Sequence, residues 1–320
     1  MQALSFHQLH QIDSSQLAAE AMAGLASQPA RVSPKFLYDA LGSRLFDAIT
    51  ELEEYYPTRT EAAIFTQWLP EMAAAIARAA GAHPTLVDLG AGNCAKAARL
   101  FDALAPKRYV AVDISVDFLR QSLASLQRQY PQMEMVGVGL DFSARLALPA
   151  TLCEGPALVF YPGSSIGNFS PAEALHLLRE ARMLAAGGAL LIGVDLVKPT
   201  AILEAAYADA LGVTAAFNLN ILRQLNRLIG SDFDPAQWQH IGLYNPAESR
   251  IEMHLEARCD VPVCWPGGTR EFAAGERLHT ENSCKYTVEG FGELLQQAGF
   301  DAPAYWTDSQ GWFAVFWAPA

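Results

Sequence analysis

The stretch Leu86-Val87-Asp88-Leu89-Gly90-Ala91-Gly92-Asn93 constrains the fold more than any other. A short apolar run that ends in an acid and breaks into two glycines predicts a buried parallel strand. Its carboxyl end turns sharply enough for a ligand to approach the backbone. Twenty-one residues after Gly92, Asp113 closes a second apolar run, Tyr109-Val110-Ala111-Val112. Strand, glycine turn, helix and a second strand ending in an acid make a nucleoside-binding half-domain, because the acid can hold the two ribose hydroxyls.

Apolar runs and helical stretches go on alternating: strands at 85–89, 109–113, 134–139, 157–161 and 189–195, helices at 116–129 and 171–186. The alternation predicts an α/β fold with a doubly wound parallel sheet. Ser170-Pro171-Ala172-Glu173 is a capping box with proline at the first helical position, so a helix starts there. Upstream, helices are expected over 12–28, ended by Pro29, and over 62–82. Between them lie two segments, 34–47 and 54–61, which read either as tyrosine-bearing loops lining a site or as tyrosines plugging a core. From Pro199 to about Gln239 the pattern is helical and polar-aromatic, without a strand-like run. Strand alternation returns at 250–258, and a helix at 287–298 precedes a closing strand at 312–317, expected near the sheet edge. The dense polar run Glu281-Asn282-Ser283-Cys284-Lys285 is open between a solvated turn and part of a site.

With 320 residues, 51% of them hydrophobic, the chain can bury one large core or two moderate ones. Its net charge of −12 disfavours a nucleic-acid partner, whose binding depends on releasing counterions from phosphates. No apolar run approaches the ~18 residues of a membrane helix, and the first sixteen residues lack a basic start and an apolar segment, so neither a membrane partner nor a signal peptide is expected. The cysteines at 94, 153, 259, 264 and 284 contain no C-x-x-C pair and read as reduced thiols of a cytoplasmic protein. The histidines show no ligand spacing, so no metal site is expected.

Gly90-x-Gly92-x-x-Ala95 also satisfies the dinucleotide fingerprint, which keeps a nicotinamide-dependent oxidoreductase as a competitor. Two features tilt the choice. Asp88 stands where a strand-end carboxylate can accept from an amino-acid ammonium and would repel a pyrophosphate. Leu140-Asp141-Phe142 follows the third strand with an acid and an aromatic suited to bonding and stacking an adenine. Together they describe a pocket for S-adenosylmethionine, an amino acid and an adenosine without phosphate. Gly163-Ser164-Ser165-Ile166-Gly167 matches the G-x-S-x-G of hydrolases, but the next helix is capped only at Ser170, and a triad would need Asp195 and His279. The loop reads better as a small-residue turn at a strand end, with Asn168 offering an amide to a ligand.

Over almost its entire length the chain resembles the histidine Nα-methyltransferases of ergothioneine biosynthesis. The resemblance is carried by Y-D-A-L-G-S-R-L-F-D, E-Y-Y-P-T-R-T-E, G-S-S-I-G-N-F, D-L-V-K, G-V-T-A-A-F-N-L-N, D-F-D, R-I-E-M-H-L and L-H-T-E-N-S-C-K-Y. It implies a Rossmann-like class I methyltransferase domain, residues 61–197 and 286–320, with a second, mostly helical substrate-binding domain, residues 1–60 and 198–285. It implies S-adenosylmethionine as cofactor, held by Asp88, Gly90, Gly92, Lys96, Asp113, Asp141 and Phe142. It assigns Asn168 and Tyr207 to the substrate carboxylate, and Tyr38 with the Gly163 backbone to the α-amino side. Tyr55, Glu281 and Ser283 would surround the imidazole, with Met253 packed on it. The turn departs from the family in Ala91 and in Asn93-Cys94-Ala95.

On this resemblance the expected product is Nα,Nα,Nα-trimethylhistidine. Tyr38 is the candidate for orienting the amine, and the Tyr38 and Phe217 faces would attract the growing ammonium. The small-molecule partners are histidine and its mono- and dimethyl forms. Alternatives are a methyltransferase of the same fold acting on another amino acid or small amine, and an amino-acid-binding module without turnover.

Overall fold

The computed structural model describes residues 4–9, 14–143 and 145–320; positions 12 and 13 of the expected first helix lie outside them. The chain forms two compact units. One comprises the described part of Met1–His10 with Pro57–Val197 and Cys284–Ala320; the other comprises the described part of Gln11–Tyr56 with Lys198–Ser283.

The first unit is built on an eight-stranded sheet, in the order Ser5–Gln8, Glu134–Gly139, Arg108–Asp113, Thr85–Leu89, Ala157–Tyr161, Ala189–Asp195, Phe313–Pro319, Ala304–Thr307. The first six strands run parallel, Phe313–Pro319 runs antiparallel to them, and Ala304–Thr307 pairs antiparallel with Phe313–Pro319. Every residue of Thr85–Leu89, Ala157–Tyr161 and Ala189–Asp195 is buried. Alternate side chains feed two apolar layers, which is why these strands read as unbroken hydrophobic runs. Val87, Leu89, Val110 and Val112 pack with Ala174, Leu177 and Leu178 of the helix Pro171–Ala185. Leu86, Tyr109 and Ala111 pack on the other face with Leu100, Phe101, Leu119 and Leu123. From Thr85–Leu89 the chain winds outward to Glu134–Gly139, then crosses back to Ala157–Tyr161. The carboxyl ends of Thr85–Leu89 and Ala157–Tyr161 therefore flank the topological switch point, where open α/β sheets bind ligands. Phe313–Pro319 pairs with Ala189–Asp195, and the short strand Ala304–Thr307, absent from the sequence reading, forms the edge.

The second unit contains the helices Ser14–Ala26, Ala40–Thr50 and Val213–Ile229. It is mixed rather than mostly helical. A four-stranded sheet runs in the order Ala30–Arg31, Arg277–Cys284, Arg250–Ala257, Trp238–Asn245, and Val261–Trp265 forms a hairpin with Gly268–Phe272. Residues 281–284 of the polar run are strand, and Glu281, Ser283 and the following Lys285 are buried, so the run is not a solvated turn. The tyrosine-bearing segments are largely helical as well. Asp39 caps Ala40–Thr50 by accepting from the Gly42 amide at 2.8 Å, and it also accepts from Asn220 Nδ2 and pairs with Arg227 on Val213–Ile229. The helix Tyr56–Ala80 begins inside the second segment, because Pro57 sits in its first turn, where the missing N–H breaks no helical bond. Among the described residues no helix is long and apolar enough to cross a membrane.

In the first unit, Lys285 and Asp195 form an ion pair at 2.8 Å with both side chains buried. Removing one partner strands the other charge in the interior. Lys285→Met should therefore destabilise the protein by about 3–5 kcal/mol in urea unfolding, and the double variant Lys285→Met/Asp195→Asn should recover part of that loss. Equal stability of the single and double variants would contradict the coupling.

Candidate active site

Four strand ends of the first unit gather acids and glycines at the switch point. After Thr85–Leu89 the chain turns through Gly90 and Gly92, both at positive φ, while the amides of Gly90 and Ala91 donate to the Val112 carbonyl at 2.9 and 3.1 Å. Asp113, ending Arg108–Asp113, accepts from the amides of Gly92 at 2.9 Å and Ser115 at 2.7 Å. Burial nonetheless raises its pKa, against the lowering effect of those amides. The glycine turn and the second acid, 21 residues apart in sequence, are thus one hydrogen-bonded unit.

Asp88 has no such support. Its Oδ2 accepts from the Tyr109 hydroxyl at 2.7 Å, and its buried Oδ1 has no hydrogen-bond partner. Burial pushes its pKa up to about 7, further raised by Asp113 and offset by Tyr109 and Lys96. An acceptor left without a donor beside the glycine turn suits an ammonium, which is what an amino-acid end would bring. Phe142 meets Tyr161 edge-on at 5.8 Å, and a Cβ placed on Gly90 would touch both rings. Asp141 accepts from the Ser143 amide at 3.1 Å and from its hydroxyl. Asp88, Asp113, Asp141 and Phe142 carry the chemistry an S-adenosylmethionine site needs: ammonium, ribose and adenine partners.

Across the switch point, Ala157–Tyr161 leads into Gly163, at φ +82°, and the short turn Ser165–Asn168. Glu61, which the sequence reading left without a role, reaches this loop. It accepts from the Gly163 amide and from Lys96 Nζ, each at 2.7 Å. With its N–H so engaged, Gly163 has its carbonyl left to offer an amine. The hydrolase geometry is not formed: Asp195 pairs with Lys285 and His279 Nε2 with Asn282 Oδ1. Burial also pushes the Cys94 thiol up to about 12, which leaves it protonated at neutral pH.

In the second unit an aromatic cluster joins most of the remaining candidates. Tyr38 meets Phe217 edge-on at 5.5 Å and Phe46 at 5.7 Å; Phe46 meets Tyr55 at 6.2 Å, and Tyr55 meets Tyr207 at 6.3 Å. The Tyr207 hydroxyl donates to Ser283 Oγ at 2.8 Å. Ser283 and Glu281 stand two apart on Arg277–Cys284 and so share a face of that strand. Met253 lies buried on the neighbouring strand, its carbonyl accepting from Thr280 at 3.0 Å. Phe46 is the member the sequence reading passed over. Its signal was an apolar side chain inside a polar-aromatic motif, which reads as core.

A family model described as "Histidine-specific methyltransferase, SAM-dependent" matches residues 17–320. The Histidine N-alpha-methyltransferase of Mycolicibacterium smegmatis is 43% identical over 311 residues, 93% of this chain and 94% of that protein. That of Mycobacterium tuberculosis is 40% identical over 307 residues, covering 93% of each. Ergothioneine biosynthesis protein 1 of Neurospora crassa is 32% identical over 290 residues, 87% of this chain and 32% of that one.

The raised pKa of Asp88 gives a signed pH dependence. A carboxyl whose folded pKa is about 7 against an ordinary 3.8 stabilises the ligand-free fold at low pH, and that contribution fades as pH rises toward 7. Buried histidines such as His240 and His254, whose pKa values are lowered, act in the opposite sense. The difference between wild type and Asp88→Asn isolates the carboxyl. Between pH 5 and 8 the wild type should lose stability relative to the variant, by at most about 1.4 kcal/mol per pH unit, measured by urea unfolding. A pH-independent difference would contradict it.

Proposed function

The chain belongs to the histidine-specific, S-adenosylmethionine-dependent methyltransferase family, and on that premise we propose that it methylates the α-amino group of L-histidine. Three successive transfers give Nα,Nα,Nα-trimethylhistidine, the first step of ergothioneine biosynthesis. The observation that carries the reading is the buried pair of recognition residues Glu281 and Ser283 on one strand face, the latter bonded to Tyr207, in a chain matched by the family model from 17 to 320.

In this reading the first unit holds the cofactor. Asp88 takes the ammonium through Oδ1, Lys96 attracts the carboxylate, Asp113 holds the ribose, and Asp141 with Phe142 holds the adenine. When bound, S-adenosylmethionine supplies an electrophilic methyl carbon on a sulfonium, so the protein's task is positioning rather than activation of the donor. The acceptor amine must be neutral. A site that desolvates histidine's ammonium lowers its pKa, and the Tyr38 hydroxyl can orient the nitrogen as the proton leaves to water. Glu281 selects the imidazole, because a carboxylate that accepts an imidazole N–H makes a contact an apolar side chain cannot replace.

The direct test is incubation with L-histidine and S-adenosylmethionine: the product should be heavier by three methyl groups in mass spectrometry, and bound but unmethylated histidine would overturn the reading. Glu281→Ala should lower kcat/KM for histidine at least ~10-fold, on the order of the ~1.5–3 kcal/mol of a charged hydrogen bond, with affinity for S-adenosylhomocysteine unchanged. Loss of cofactor affinity with intact histidine turnover would refute the role of Glu281.

A further inference from the structure

Glu61 has both carboxylate oxygens engaged, and the reaction as described gives it no part. Its side chain is 2% exposed, with one oxygen on the Gly163 amide and the other on the Lys96 ammonium. The surrounding backbone is shaped to admit it. Gly193 lies inside the buried strand Ala189–Asp195, where glycine weakens a strand and marks a close approach. A Cβ there would stand 2.0 Å from Glu61 Oε1. A Cβ on Gly163 would stand 2.7 Å from Lys96 Nζ. Glu61, on the helix Tyr56–Ala80, thus fastens the start of the helix Ala95–Leu104, which follows Thr85–Leu89 and its glycine turn, to the loop that follows Ala157–Tyr161. The carboxyl ends of these two strands flank the switch point.

A purely stabilising role fits this arrangement poorly. Buried ion pairs add little net stability, because desolvation cancels most of the attraction. The partners are also unequally covered: Lys96 keeps 32% of its side chain exposed. Glu61 takes one of the three donors of its ammonium, and the others can meet an anionic group. The same loop is pinned from its other side, where Ser164 Oγ accepts from the Asp195 amide at 2.8 Å.

We propose that Glu61 is a positioning residue for the methyl donor: by clamping Gly163 and Lys96 together, it fixes the ammonium that receives the donor's carboxylate. The inference rests on the assignment of S-adenosylmethionine to the first unit. The test measures S-adenosylhomocysteine binding by calorimetry, with steady-state constants and thermal midpoints, in wild type, Glu61→Gln and Glu61→Ala. Glu180→Gln is the control, since Glu180 is another buried carboxylate that accepts a backbone amide, from Leu146 at 2.8 Å. Glu61→Gln keeps an acceptor for Gly163 but presents an amide to Lys96. It should raise the Kd for S-adenosylhomocysteine and the KM for S-adenosylmethionine at least ~10-fold, and change the KM for histidine less than ~3-fold. Glu61→Ala, which also frees the Gly163 loop, should in addition lower kcat. Glu180→Gln should leave all constants within ~2-fold. Cofactor constants within ~2-fold of wild type in Glu61→Gln would overturn the role of Glu61 alone, whatever its thermal midpoint. A wild type that bound no S-adenosylhomocysteine would overturn the donor assignment and this inference together.

Discussion

Desolvation of carboxylates governs the ligand-facing edge of the large sheet. Glu61, Asp88, Asp113, Asp141 and Asp195 are all buried in the first unit, and a buried charge persists only where something replaces its water. The replacements differ. Asp195 has a buried lysine, Glu61 has an ammonium and an amide, and Asp113 has the amides of Gly92 and Ser115. Asp88 has one tyrosine hydroxyl and an unanswered oxygen, and burial pushes its pKa up to about 7. Asp195 and Glu61 hold loops in place, and Asp113 braces the glycine turn. Asp88 is a deficit that a cationic ligand can fill.

The second unit solves a different problem with different material. Its candidate residues are mostly aromatic faces and neutral hydroxyls, with the buried carboxylate of Glu281 among them. The fold makes this possible by placing polar side chains on a strand: on Arg277–Cys284, Glu281 and Ser283 are buried, and Ser283 accepts from the Tyr207 hydroxyl. Asp39 anchors the helix that follows Tyr38 to Val213–Ile229, through Asn220 and Arg227 on the same helix that carries Phe217. Tyr38 and Phe217 are therefore held in register by the backbone elements behind them, and not only by their mutual contact.

What the sequence revealed follows the same division. From Thr85 to Asp195 the helices and strands could be read almost residue by residue, because both faces of the sheet are apolar and continuous hydrophobic runs have one interpretation there. Trp238–Asn245 was missed because its residues are half-buried without alternation, and His240 and Tyr244 break any two-residue period. Arg277–Cys284 was missed because Glu281 and Ser283 are buried where patterning asks for valine, so the local rule gave way. The tyrosine-bearing segments were misread for a local reason, since Pro57 marks a first helical turn as readily as a loop. Glu61 was illegible because nothing in a lone acid at the head of an apolar stretch tells that Gly163, some hundred residues away, will donate to it.

The proposed product also explains why the second unit is aromatic. Each methylation of an amine removes an N–H, so a hydrogen bond from the substrate nitrogen to Tyr38 or to a backbone carbonyl is lost by the last transfer. A site that held the amine by acceptors alone would release it after one or two steps. Aromatic faces act oppositely, because attraction between a cation and a ring quadrupole needs no donor hydrogen and tolerates methyl groups. Tyr38, Phe46 and Phe217, mutually edge-on or tilted at 5.5 to 6.0 Å, offer both kinds of contact within one cluster. On the proposed reaction the tyrosine would serve the first transfer as a hydroxyl and the third as a ring, while the phenylalanines would contribute only the interaction that outlasts the hydrogens.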